Sequence, residues 1–247
     1  MSQLVPLARI DAAIIDLDGT MIDTLGDFVA ALNLMLGDLA LAGQPQVDRQ
    51  AVELMIGKGS ENLIKSVINK LKAQLIQAHE APESRAYNEV KLFELALTGY
   101  QKHYLTINGQ HADVYPGVVQ GLLGLQRAGL KLACLTNKPL SFAEALLKQK
   151  GLAGFFSHVF GGDSFAAKKP DALPVLETCK ALGTLPARTM MLGDSTNDAQ
   201  AARAAGCPVL LVTYGYNHGE PIRNVDADGY IDSLDDVIAQ LQAPLAA

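Results

Sequence analysis

Residues 12–20 read AAIIDLDGT, four apolar residues followed by two carboxylates, Asp16 and Asp18, with only Leu17 between them. Ala12-Ala13-Ile14-Ile15 has the unbroken hydrophobicity of a parallel strand covered on both faces, and Gly19-Thr20 lets the chain turn sharply after it. Neighbouring carboxylates near a core lose hydration and repel each other, so this position requires compensation. At the carboxyl end of a strand the two acids lie where open α/β sheets bind their ligands.

Working outward, residues 131–136, 158–161, 189–194 and 209–214 read as further short β-rich runs, separated by helical stretches such as 141–150 and 171–182. Such alternation implies a parallel sheet. Between the first strand and these runs a helical spacing takes over. It runs through Leu25, Phe28, Val29, Leu32, Leu36 and Leu39, then Leu63, Ile64, Val67, Ile68, Leu71 and Leu75, then Tyr87, Val90, Phe93, Leu97, Tyr100 and Tyr104. The expected fold is α/β, a Rossmann-like parallel-sheet core over residues 1–23 and 114–247 with an inserted α-helical cap domain over 24–113. The chain would enter the cap after Asp23-Thr24 and leave it through Asp113-Val114-Tyr115-Pro116-Gly117.

With 247 residues, 49% of them hydrophobic and 19% charged, the chain has material for a sizeable core. Its formal charge of −6 is not offset by any basic cluster, which argues against nucleic acid as a partner. No apolar stretch approaches a membrane span and the first ten residues lack a leader pattern, so a cytoplasmic protein without a membrane partner is expected. Cys134, Cys179 and Cys207 are widely spaced in apolar or helical surroundings, as packed reduced thiols would be. His79, His103, His111, His158 and His218 show no metal-ligand spacing.

Parallel strands point the same way, so polar residues after several strands converge on one sheet edge. The candidates are Asp16, Asp18 and Thr20 after the first strand; Thr136-Asn137-Lys138 after the second; Lys168-Lys169-Pro170 in the loop after the third; and Gly193-Asp194-Ser195-Thr196-Asn197-Asp198 after the fourth. A divalent cation would make the clustered acids tolerable. Oxygen ligands from Asp16, the Asp18 backbone and Asp194 suit Mg²⁺, which retains waters and recruits phosphate oxygens.

The motifs DLDGT (16–20), LTNK (135–138), KKP (168–170) and GDSTND (193–198), in this order and with a helical insertion after the first, resemble the haloacid dehalogenase superfamily of phosphatases. Within it, residues 193–220 and the IGKG stretch (56–59) are similar to the phosphoglycolate phosphatases. The resemblance implies a Mg²⁺-dependent hydrolase of a small phosphorylated metabolite, 2-phosphoglycolate first among them, acting as a monomer or homodimer. It implies Asp16 as nucleophile and metal ligand, and Asp18 as general acid/base whose backbone also binds the metal. Asp194 becomes the remaining metal ligand, and Asp198 orients Lys169 or a metal-bound water. Thr136 and Asn137 would bond the phosphoryl oxygens with Thr20 nearby, and Lys169 would balance charge.

Plainer roles stand beside these. Asn137 could cap a helix, Lys168 could be solvated, Asp198 could serve a helix start, and Asp23 and Asp27 fit a hinge and a helix start. Gly57-Lys58-Gly59 could approach the substrate, with Lys58 meeting its carboxylate, or form a loop between two cap helices with Ser60 as N-cap and Lys58 in water. The stretch Tyr214-Gly215-Tyr216-Asn217-His218-Gly219 could touch the cap or only shape a loop. Rival functions are phosphonoacetaldehyde hydrolase, whose family carries a Schiff-base lysine at about the position of Lys58, and a sugar-phosphate phosphatase or mutase. A phospho-acceptor receiver domain is the non-enzymatic rival, and it has no place for a helical insertion.

Overall fold

The computed structural model describes residues 10–39, 45–77 and 89–242. The expectations for His79, Tyr87 and the Leu75 side chain lie outside what it describes. Six parallel strands form the central sheet: β1 (Ala12–Ile15), β4 (Lys131–Leu135), β5 (His158–Phe160), β6 (Thr189–Gly193), β7 (Val209–Val212) and β8 (Gly229–Ile231). Their spatial order is β5-β4-β1-β6-β7-β8, so the winding reverses at β1. Every β1 residue is fully buried, which explains the continuous apolar run.

The pleat divides that run between two cores. Ala13 and Ile15 face a cluster with Val118, Leu122 and Leu125 of α5 (Val118–Arg127), Leu146 and Leu147 of α6 (Leu140–Gln149), and Val237 and Leu241 of α9 (Val237–Gln242). Ala12 and Ile14 face Val175, Cys179 and Leu182 of α7 (Leu173–Leu182) and the alanines of α8 (Thr196–Ala205). The result is an α/β/α sandwich. Burying the apolar surface of one Leu or Ile here contributes about 1.5–3 kcal/mol.

The remaining helices are α1 (Leu25–Asp38), α2 (Arg49–Glu53), α3 (Ser60–Gln77) and α4 (Glu89–Ile107). They share a separate apolar cluster that includes Leu32 and Met35 of α1, Ile64 and Val67 of α3, and Tyr100 and Tyr104 of α4. Phe142 and Tyr216, from the sheet-bearing part, complete it. The two chain passages between the parts pair with each other as the antiparallel strands β2 (Ile22–Asp23) and β3 (Asp113–Val114). Beside this ribbon the fully buried Asp27 accepts hydrogen bonds from the Gly109 and His111 backbone N–H groups, at 2.6 and 2.7 Å. Among the described residues no helix is long and apolar enough to cross a membrane. All three cysteines are free and buried.

Candidate active site

The site forms where the sheet reverses. β1 delivers Asp16, whose N–H continues the ladder to the Leu192 carbonyl at 2.9 Å. The turn beyond it needs Gly19. That residue has φ +84°, and a Cβ there would lie 2.2 Å from Asp194 Oδ2. Asp18, two residues on from Asp16, accepts at Oδ1 from the Thr24 hydroxyl and the Lys138 ammonium, both at 2.8 Å.

β6 and α8 supply the opposite wall. Ser195 and Asp198 form a reciprocal capping box at the start of α8: Asp198 Oδ2 accepts from the Ser195 hydroxyl and N–H and from the Asp194 N–H. Its other oxygen accepts from Lys169 Nζ at 2.6 Å. Lys169 also donates to Asp16 at 2.7 Å and to the Leu135 carbonyl at 2.9 Å, so all three ammonium protons have acceptors. Asp194 accepts from the Thr20 hydroxyl at 3.2 Å and from the Tyr216 N–H at 2.5 Å.

Charge at this centre is unbalanced towards the acids. Burial raises the pKa of Asp16 to about 7, a shift opposed by Lys169 and reinforced by Asp198 and Asp18. Burial, Asp198 and Asp16 likewise raise that of Asp194. For Lys169 burial alone would favour the neutral amine, but Asp16 and Asp198 reverse this and keep it protonated. Carboxylate oxygens of Asp16, Asp194 and Asp198 lie within 4.8 Å of one another. An all-oxygen, buried, mutually repelling set fits a hard cation such as Mg²⁺.

The centre opens into a cleft of about 40 Å³ lined by both parts of the chain. Asp16, Asp18, Thr136, Asn137, Lys138, Lys169 and Asp194 line it from the sheet edge; Phe28, Ile56, Gly57, Gly59, Tyr100 and Tyr104 line it from the helices.

A model of the haloacid dehalogenase-like hydrolases matches residues 10–206. The chain belongs to that family. It is 40% identical over 225 residues to a phosphoglycolate phosphatase of Thiobacillus denitrificans, covering 91% of this chain and 92% of that relative. A plasmid-borne phosphoglycolate phosphatase of Cupriavidus necator is also 40% identical, over 93% and 92% of the two chains. The crystal structure of a predicted phosphoglycolate phosphatase from Haemophilus somnus 129PT superposes with a TM-score of 0.83 at 29% identity, covering 94% of this chain and 97% of that one. With these phosphatase relatives the protein stands as a phosphatase of the haloacid dehalogenase-like family.

In this hydrolase several sequence expectations land differently. The Asn137 amide does not cap α6, whose N-cap is Pro139 and whose Leu140 N–H is bonded by Asp163. It donates instead to the Lys169 and Gly57 carbonyls, at 2.8 and 3.0 Å, and so ties two loops. Thr20 is fully buried and its hydroxyl serves Asp194 rather than the cleft. Gly57 and Gly59 line the cleft, but Lys58 between them is exposed and does not. The glycines take φ values of +101° and +84°, the Gly57 carbonyl accepts from the Asn137 and Asn197 amides, and Lys58 stays exposed. Ser60 is the first residue of α3 rather than its N-cap, since the Gly59 carbonyl already accepts from the Leu63 N–H.

Tyr216 joins the helical cluster and bonds Asp23 through its hydroxyl, so the 214–219 stretch does touch the cap. Lys168 is exposed, as a solvated lysine would be. Sequence reasoning places Lys138 and Asn197 among the residues that converge on the sheet edge without giving either a role, and it reads Thr24 only as the entry to the cap and Tyr104 only as part of a helical face. The signal for Lys138 is its place inside the LTNK motif; the structure adds that its side chain is only 2% exposed.

Proposed function

We propose that this phosphatase hydrolyses a small phosphomonoester, 2-phosphoglycolate first, through a phosphorylated Asp16. The observation that supports this best is the Lys169 ammonium held between Asp16 and Asp198 at the carboxyl edge of β1. An anchored cation fixes the orientation of a nucleophilic carboxylate and meets the charge arriving with a phosphoryl group. Asp16 attacks phosphorus, and the bond to the leaving oxygen breaks as Asp18 protonates that oxygen. The Asp18 carboxylate then takes a proton from water, whose oxygen attacks the phosphorus of the acyl phosphate and frees Asp16 and inorganic phosphate. Thr136 accepts from the Lys138 N–H at 3.2 Å, which leaves its own hydroxyl proton for a phosphoryl oxygen.

Asp16, Asp194 and the Asp18 backbone would hold Mg²⁺, with Asp198 kept for Lys169 and the capping box. Bound there, the cation neutralises the acids and the phosphoryl oxygens during transfer. Residues 24–113 act as a cap that closes over the cleft and excludes water. The names of the relatives favour a compact ester over a hexose phosphate. The exposed Lys58 gives no support to Schiff-base chemistry. Steady-state rates on 2-phosphoglycolate, glucose 6-phosphate and phosphonoacetaldehyde, with Mg²⁺ and with chelator, test the proposal. Activity confined to 2-phosphoglycolate and abolished by the chelator is expected; hydrolysis in excess chelator, or of phosphonoacetaldehyde alone, contradicts it.

A further inference from the structure

Lys169 and Lys138 are both buried ammonium groups of the same cleft, and their surroundings differ. Lys169 has three acceptors for three protons. Lys138 Nζ has one, Asp18 Oδ1 at 2.8 Å, although its side chain is only 2% exposed. The rest of its environment is aromatic: Nζ stands 4.6 Å from the Phe28 ring centroid and 4.8 Å from that of Tyr104. Ring faces stabilise a cation without accepting its remaining N–H groups. Tyr104 itself is 1% exposed, lines the cleft, and has a buried hydroxyl with no hydrogen-bond partner. Such groups are costly to leave unpaired, so their concentration at one point of a ligand cleft indicates a missing acceptor.

We infer that Lys138 and Tyr104 form the subsite for a carboxylate on the leaving group, selecting phosphorylated hydroxy acids over uncharged phosphomonoesters. The inference rests on the phosphatase reading above and moves the carboxylate contact from Lys58 to these two residues. Position agrees with it. Asp18, which protonates the ester oxygen, is in direct contact with Lys138, and in 2-phosphoglycolate the carboxyl carbon is two bonds from that oxygen. A carboxylate accepts from an ammonium and a phenol at once, and each such charge-assisted bond is stronger than a neutral one. The apolar walls from Phe28, Ile56, Leu63 and Phe142 exclude water from the pair. An uncharged ester would leave both donors unpaired, which is the condition under which a polar site rejects an analogue most strongly.

The test is the ratio of kcat/KM for 2-phosphoglycolate to that for ethyl phosphate, a compact ester without the carboxylate, in the wild type and in Lys138→Met, Tyr104→Phe and Lys58→Ala. The ratio is used because Lys138 also touches Asp18, so its loss affects both substrates. Lys138→Met and Tyr104→Phe are each expected to lower the ratio by roughly 10–100-fold, the range that follows from losing one charge-assisted contact. Tyr104→Phe removes only an unpaired hydroxyl, so it folds at least as well as the wild type and carries the test if Lys138→Met does not fold. Equal losses on both substrates, an unchanged ratio in Tyr104→Phe, or a fall confined to Lys58→Ala each overturn the subsite. A wild type that hydrolyses both esters equally keeps the phosphatase reading and overturns the subsite; one that hydrolyses neither overturns both.

Discussion

The two walls of the cleft are built on opposite principles. On the sheet-edge wall almost every polar atom is committed: Lys169 has a full set of acceptors, Asp198 uses both oxygens, and Asp194 is held from two sides. On the side facing the cap, where Lys138 reaches out from the sheet edge towards Phe28 and Tyr104, the ammonium is under-bonded, the Tyr104 hydroxyl is alone, and aromatic rings fill the rest. A saturated wall does not have to reorganise when charge arrives, and this is what phosphoryl transfer requires of its surroundings. The unsaturated wall leaves donors for whatever part of a substrate varies.

The largest effects should come from the saturated wall. Asp16→Asn is expected to lower kcat by at least roughly 10⁴-fold, as loss of a nucleophile does, whereas Asp18→Asn should cost roughly 10²–10⁴-fold, the range for general acid/base catalysis. Comparable, modest losses in both, measured by steady-state kinetics, would erase the distinction between the two acids.

An intermediate effect concerns the charge imbalance. The raised pKa of Asp16, about 7, means that the folded metal-free protein retains a proton that the unfolded chain releases near the ordinary carboxylate value. The contribution of Asp16 to stability should therefore fall as pH rises between those two values, and Asp194, raised by the same burial and repulsion, adds a fall of the same sign. Mg²⁺ competes with that proton, so the rise in Tm that it produces should be larger above about pH 7 than below it. Calorimetry with and without the cation checks both signs, and a Tm gain independent of pH would remove Asp16 from the cation site.

The smallest effect tests how firmly the walls are joined. Asn197 donates to the Gly57 carbonyl at 3.1 Å, a bond that Asn137 shares at 3.0 Å. Asn197→Ala should loosen the loop by about 0.5–1.5 kcal/mol, visible as a few-fold rise in KM with kcat nearly unchanged. A fall in kcat instead would mean that this tie positions the acidic centre.

The same contrast explains what the sequence disclosed. Asp16, Asp18 and Asp194 follow strands whose apolar runs are self-announcing, and parallel pairing brings them together, while Lys169 reaches them from the loop between β5 and α7. The helical segments were legible from their spacing, but that spacing assigned Tyr100 and Tyr104 to an apolar face and could not tell that one hydroxyl of that face would be stranded in a cleft. Lys58 looked better placed than Lys138 because glycines flank it. Only the backbone angles at Gly57 and Gly59 reveal that a carbonyl, not the lysine, turns towards Asn137 and Asn197. The short β8, Gly229-Tyr230-Ile231, carries too little pattern to be read at all.

The division of labour between Asp16 and Asp18 is tested most directly by quenching Asp18→Asn with acid during turnover of 2-phosphoglycolate and mapping phosphate on the protein by peptide mass spectrometry. Hydrolysis of the acyl phosphate should be slowed in this variant, so phosphate is predicted on Asp16 and on no other residue, and the signal should vanish in the Asp16→Asn, Asp18→Asn double variant. Phosphate on a different side chain, or rapid turnover by Asp16→Asn with no phosphorylated protein at any time, would contradict Asp16 as the nucleophile.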